Sequence, residues 1–92
     1  MSMTGGAVGA NIPQMQALEQ RMQQESVAVQ ELMSRIDNAL RTTVWEGAAA
    51  IRFREEWDTQ FKKALTTLSQ ALDQNAVSVH NTWQAIQTAT GG

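Results

Sequence analysis

The sequence predicts an all-α fold, an antiparallel two-helix hairpin that pairs with another hairpin into a four-helix bundle. Three observations lead to this prediction. The interior of the 92-residue chain is nearly free of helix breakers, because five of the six glycines lie near the two ends and the only proline is Pro13. Two long segments repeat apolar residues with a helical period, and no segment alternates apolar and polar residues as a strand would.

The first helix is expected over residues 12–43. Asn11 offers an N-cap oxygen, and Pro13 falls in the first turn, where its missing N–H costs nothing. Apolar residues then recur with a period near 3.5, with one polar interruption at Glu25. This expected seam consists of Met15, Leu18, Met22, Val29, Leu32, Ile36 and Ala39.

A turn is expected at 44–47, where the helical period stops and the only interior glycine, Gly47, occurs. A residue that joins two helices can need a positive φ, which glycine adopts at little cost. The second helix is expected over 48–88, between a disordered Gly-rich tail at 1–11 and a flexible tail at 89–92. Its apolar stripe consists of Trp57, Phe61, Leu65, Leu68, Leu72, Ala76, Val79, Trp83 and Ile86.

The apolar stripes are wider than the single contact line of a two-helix hairpin can cover. Each large apolar side chain left in water forfeits about 1.5–3 kcal/mol of burial, so a partner hairpin is expected to cover them. The aromatic residues at i, i+4 and i+8 of the second helix are expected to form one ridge. The expected partner interface consists of Phe53, Trp57, Phe61, Leu65, Leu68, Leu72 and Val79.

Charged residues are expected on the solvent-facing surface, in pairs that place an acid four residues before a base. These pairs are Glu31 with Arg35, Asp37 with Arg41, and Asp58 with Lys62.

Composition argues against several classes of function. The chain has 7 Lys and Arg against 9 Asp and Glu, so it lacks the basic face of a nucleic-acid binder. With no cysteine and one histidine, no disulfide or metal site is expected. Ser78 and His80 point about 200° apart on a helix, which excludes a nucleophile and base pair between them. We therefore expect no enzyme and no cofactor.

No long apolar run occurs, so stable membrane insertion is not expected. The first ten residues contain neither Lys nor Arg and no apolar run, so a cleavable signal peptide is not expected either.

A Trp-X-Gly motif stands at the midpoint of the chain, between the two expected helices. Its residues are Trp45, Glu46 and Gly47. A small residue, a Phe and a bulky aromatic residue follow downstream, at Ala49, Phe53 and Trp57. The pattern resembles the WXG family of small type VII secretion (ESX) substrates, the early-secreted-antigen-like proteins, over roughly residues 12–90.

The resemblance implies a non-enzymatic protein that pairs with itself or with a sibling WXG protein and leaves the cell folded, through a type VII secretion ATPase. The protein would be cytoplasmic before export and secreted without a cleavable signal peptide. Trp45, Glu46 and Gly47 would then form the secretion and recognition motif. Trp45 has two interpretations, a core aromatic at the hairpin tip or, in addition, part of a recognition surface.

One feature departs from the family pattern. Members with the export signal have a Tyr followed four residues later by Asp or Glu, near the end of the second helix, and this chain has no tyrosine. The signal would then lie on a partner in a heterodimer, or a degenerate version would act in a homodimer. The alternative function is a cytoplasmic helical adaptor that only oligomerises, with an accidental Trp-X-Gly.

Overall fold

The computed structural model describes residues 9–89, which form a helical hairpin with no strand in that range. The first arm is one long helix, and the second arm is a continuous helix with a short π-helical turn inside it. As predicted, the fold is all-α and the two long helices pack against each other. The elements are α1 (Ile12–Thr42), α2 (Ala48–Glu56), the π-helical segment (Trp57–Phe61) and α3 (Lys62–Ala89).

The hairpin is a flat rod of 63 × 23 × 15 Å. Its 63 Å length matches a second arm of roughly 60 Å at ~1.5 Å per helical residue. The first helix ends at Thr42, one residue before the expected boundary, and the second arm reaches Ala89. The expected tails lie mostly outside the described residues.

Local sequence explains where each arm begins. The side-chain oxygen of Asn11 accepts a hydrogen bond from the Gln14 backbone N–H at 3.0 Å, which confirms the predicted N-cap. The second arm begins after Gly47, whose φ of 110° and ψ of 175° lie in a region almost restricted to glycine. The structure thus confirms the positive φ that the sequence suggested for this glycine.

The contact line between the arms follows a heptad spacing, and its side chains are half-buried or buried. Along α3 these residues are Leu65, Ser69, Leu72, Ala76, Val79, Trp83 and Ile86, and along α1 they are Met15, Glu19, Met22, Ser26, Val29, Met33 and Leu40. The expected seam of α1 was therefore right at Met15, Met22 and Val29 and one position early at Leu18 and Leu32. Leu18 and Leu32 each lie one position before a contact residue and are 45% and 42% exposed.

A polar layer lies in the middle of the contact line. The hydroxyls of Ser26 and Ser69 are 2.8 Å apart, and Gln30 Nε2 donates to Ser69 Oγ at 3.0 Å. Both serines are buried. The polar interruption expected at Glu25 is instead at Ser26, because Glu25 turns outward to pair with Arg21 at 2.6 Å.

The π-helical segment divides the aromatic ridge expected on the second arm. Its extra residue lets the Lys62 N–H donate to the Trp57 carbonyl, five residues back. The contact line then passes from Trp57 to Lys62 and not to Phe61. Trp57 is 7% exposed and Phe61 is 43% exposed, so the two rings do not share one face.

Candidate recognition tip and partner-facing surface

The Trp-X-Gly motif lies at the tip of the hairpin, in the connection between α1 and α2. Trp45 is 41% exposed, and its ring centroid lies 6.0 Å from that of Phe53, with the ring planes tilted by 49°. Such spacing is typical of a contacting aromatic pair. Trp45 therefore packs on one side and presents its other side to solvent.

The other two motif residues differ in role. Glu46 is exposed and forms no hydrogen bond or ion pair within the described residues. It stands just before the start of α2, where a carboxylate complements the helix dipole. Gly47 leaves open space where a Cβ would project, so its requirement for glycine comes from backbone conformation and not from a close neighbour.

Below the tip, Asp37 joins the two arms. It accepts a hydrogen bond from Trp57 Nε1 at 2.7 Å and pairs with Lys62 Nζ at 3.1 Å. The bond from the Trp57 indole, followed by that from Lys62, lowers the pKa of the Asp37 carboxyl. Positions five apart diverge by about 140° on an α-helix, so the π-helical turn is what brings both donors to one carboxylate.

This arrangement changes the expected ion pairs. Trp57, at 7% exposed, packs in the core of its own hairpin, and its contact with a partner stays a prediction. Asp37 forms no contact ion pair with Arg41, whose guanidinium donates to Asn38 at 3.2 Å, although the Arg41 charge still helps to lower the pKa of the Asp37 carboxyl. Lys62 crosses to α1 and donates to the carboxylate of Asp37, so Asp58 has no ion pair within the described residues. The expected pair of Glu31 with Arg35 does not form either.

A similar carboxylate lies near the open end of the hairpin. Glu19 accepts from Trp83 Nε1 at 2.8 Å and lies 3.1 Å from His80 Nδ1. The Trp83 hydrogen bond, followed by the His80 contact, lowers the pKa of the Glu19 carboxyl. His80 is also edge-on to the Trp83 ring at 4.9 Å. Sequence reasoning missed this cluster, since Glu19 sits at a heptad position where an apolar residue was expected.

An apolar surface lies beside the contact line on one side of the hairpin, and we call it the outward face. Antiparallel helices related by a two-fold axis normal to their plane place equivalent heptad positions on the same side. The positions just before the contact residues therefore share one side. The outward face consists of Leu18, Leu32, Phe53, Phe61 and Leu68, all 37–47% exposed. Ile36, at 37% exposed, instead occupies the heptad position between Met33 and Leu40 in the contact line.

Of the expected interface residues, Phe53, Phe61 and Leu68 lie on the outward face itself. Three more are half-buried in the contact line itself, namely Leu65, Leu72 and Val79. Sequence reasoning assigned Leu18 and Leu32 to the hairpin seam, whereas the contact line runs one position later, through Glu19 and Met33.

The opposite side of the hairpin is mostly polar. Many of its positions just after the contact residues carry amides, hydroxyls, acids or an imidazole, namely Gln16, Gln23, Gln30, Asp37, Thr66, Asp73, His80 and Gln87. Two exposed apolar residues, Val27 and Val77, also follow contact residues on this side. The hairpin therefore has a more apolar and a more polar side.

Residues 9–89 contain no group of three or more side chains placed to hold a metal ion. Within the same range, no helix is both long and apolar enough to cross a membrane.

Comparison with known protein families, with curated proteins and with solved structures found no significant match.

Proposed function

We propose that this protein is a non-enzymatic substrate of a type VII (ESX) secretion system, of the WXG type, exported folded as a dimer. The observation that carries the proposal is the position of Trp45 and Gly47. They occupy the only connection between two long antiparallel helices of the described chain, with Gly47 at a φ of 110° and Trp45 partly exposed. This combination supports the resemblance that the sequence suggested.

The outward face supports the dimer in this proposal. It carries leucine and phenylalanine side chains along most of the rod, whereas the exposed apolar residues of the opposite side are two valines, Val27 and Val77. A partner hairpin laid on the outward face would complete a four-helix bundle and remove these side chains from water. The partner is a sibling WXG protein or a second copy of this chain.

The absence of tyrosine favours a sibling partner. A sibling that carries the Tyr-X-X-X-Asp/Glu signal would supply what this chain lacks, while Trp45 supplies the tip. In this scheme the secretion ATPase reads a surface to which both subunits contribute. The protein is cytoplasmic before export and needs no cleavable signal peptide.

Fractionation of the producing cells tests the proposal. We expect the protein in culture filtrate from cells with an active secretion ATPase and in the lysate alone when the ATPase is inactivated. A cytoplasmic marker protein is assayed in both fractions, and its absence from the filtrate excludes lysis. Equal amounts in the filtrate with and without the ATPase would contradict the proposal.

A second candidate function is a cytoplasmic helical adaptor, and the missing tyrosine is the observation that favours it. Such a protein would form the same bundle but remain in the lysate in both strains. The mass of the complex purified from its own cell would then identify an assembly partner other than a WXG protein.

A further inference from the structure

One polar side chain outside the Trp-X-Gly motif reaches across the tip from α2, that of Arg54. Its Nη1 donates to the Trp45 carbonyl at 2.9 Å, and its Nη2 lies 3.3 Å from the carbonyls of both Leu40 and Thr43. These acceptors belong to the last turn of α1 and to the connection. One side chain of the second arm thus holds the backbone on the other side of the turn.

The acceptors explain why a cation is suited to this position. The Leu40 carbonyl is among the last four of α1, which have no partner within the helix. The negative end of the helix dipole also lies there and attracts a positive charge. Arg54 therefore completes hydrogen bonds that the helix end leaves open, in addition to any effect on the indole.

The same guanidinium contacts the Trp45 side chain. Its central carbon lies 5.8 Å from the centroid of the Trp45 ring, within the range of a cation–π interaction. Phe53 contacts that ring at 6.0 Å. Trp45 is thus fixed by its own carbonyl, by the charge of Arg54 and by the ring of Phe53, while 41% of it stays exposed.

We infer that Arg54 is the positioning residue of the recognition tip and fixes the orientation in which Trp45 is presented. The inference rests on the proposed function for its consequence in export. Lysine cannot replace the arginine, because a compact ammonium lacks the planar fork that reaches several carbonyls at once. The functional motif at the tip then extends from residues 45–47 to Arg54.

Fluorine NMR of the full chain labelled with 5-fluorotryptophan tests the positioning. The three tryptophans give three resonances, and the one that disappears in Trp45→Phe belongs to Trp45. We expect Arg54→Gln to move the Trp45 resonance by more than its linewidth and to leave the resonances of Trp57 and Trp83 in place. Arg54→Lys should move it in the same direction by less.

Arg52→Gln is the matched control, since Arg52 is exposed and forms no hydrogen bond within the described residues. It should leave the Trp45 resonance and the secreted fraction unchanged, whereas Arg54→Gln should lower the secreted fraction at least tenfold. If Arg54→Gln unfolds, Arg54→Lys, which retains the charge, is measured in its place and should still move the Trp45 resonance.

An unmoved Trp45 resonance in the folded Arg54 variants would overturn the inference. So would a moved resonance combined with wild-type export, because the orientation of Trp45 would then have no consequence. If the wild-type protein itself is not exported, the proposed function fails, and the resonance alone decides whether Arg54 positions Trp45.

Discussion

The contact line between the two arms and the outward face beside it use different side chains. The buried residues of the contact line are small or polar except for Trp57, and they comprise Ser26, Ala50, Trp57, Ser69 and Ala76. The outward face carries large apolar side chains that remain 37–47% exposed. In most folded domains the large apolar residues are the ones that the chain covers itself.

This difference indicates that one set of residues stabilises the hairpin and another is available to contact a partner. Small side chains let the helices approach closely, while the serine pair and the two carboxylate–tryptophan hydrogen bonds fix their register. Larger apolar side chains of the contact line, such as Leu65 and Leu72, are half-buried, whereas those of the outward face remain exposed. Different substitutions should therefore weaken dimer formation and hairpin stability separately.

The largest effect is expected from a charge on the outward face. Leu68→Asp would bury an unpaired carboxylate against the partner at a cost of several kcal/mol, which weakens pairing on the order of 100-fold or more. Phe61→Asp should act in the same way. Sedimentation of the purified complex measures the loss.

Val77→Asp is the matched control for the outward face. Val77 is also an exposed apolar residue of α3, at 59%, but it lies on the other flank of the helix. It should leave the mass of the complex unchanged. Equal loss of pairing in Val77→Asp and Leu68→Asp would show that the two sides of the hairpin do not differ as described.

A bulky residue in the contact line should destabilise the hairpin without changing the outward face. Ser26 is 1% exposed, so Ser26→Leu overpacks the polar layer at a cost of about 1–3 kcal/mol. Loss of its hydrogen bonds to Ser69 adds about 1 kcal/mol. The melting temperature, followed by circular dichroism, should fall by about 8 °C or more. Ser34→Leu, at an exposed site of α1, should melt close to wild type.

The connection between the arms should respond through its backbone. Gly47→Val places a β-branched residue at a φ of 110°, which costs about 1–3 kcal/mol. Because no atom crowds a Cβ there, Gly47→Ala should lower the melting temperature nearly as much. A Gly47→Ala protein that melts at the wild-type temperature would show that the turn does not require positive φ.

The smallest effect concerns pH and two carboxylates, those of Glu19 and Asp37, which accept hydrogen bonds from tryptophans of the other arm. The folded state lowers the pKa of both Glu19 and Asp37, so both stabilise the hairpin above their ordinary unfolded pKa values. That stability is lost as the pH falls below ~4 and through the lowered values. The melting temperature should be level near neutral pH and decline in this acid range. A Glu19→Gln, Asp37→Asn double variant should show a shallower decline, and an equal slope would contradict the assignment.

Much of the fold could be predicted from local signals in the sequence. The cap at Asn11, the glycine at 47 and the scarcity of helix breakers place both arms to within a residue or two. Choosing apolar residues placed the expected stripes one position away from the contact line at Glu19, Ser26 and Ser69. Both the expected seam of α1 and the observed contact line have heptad spacing, so spacing alone does not choose between them.

The site depended more on contacts between distant parts of the chain. The π-helical turn has no marker in its own sequence, since its register is held by Asp37 on the other arm. Without that turn the stripe appeared to run through Trp57 and Phe61 together. The role of Arg54 was hidden for the same reason, because its acceptors are carbonyls that only the folded connection brings within reach.

The most direct test of the account measures export, complex mass and melting temperature on a single variant, Trp45→Ala. The indole lies at the tip, outside both the contact line and the regular positions of the outward face, and the substitution keeps the carbonyl that Arg54 binds. The account predicts loss of export from the cell, with complex mass and melting temperature near wild type. Export at the wild-type level, or outright unfolding of the variant, would leave Trp45 as a packing residue and contradict its role in recognition.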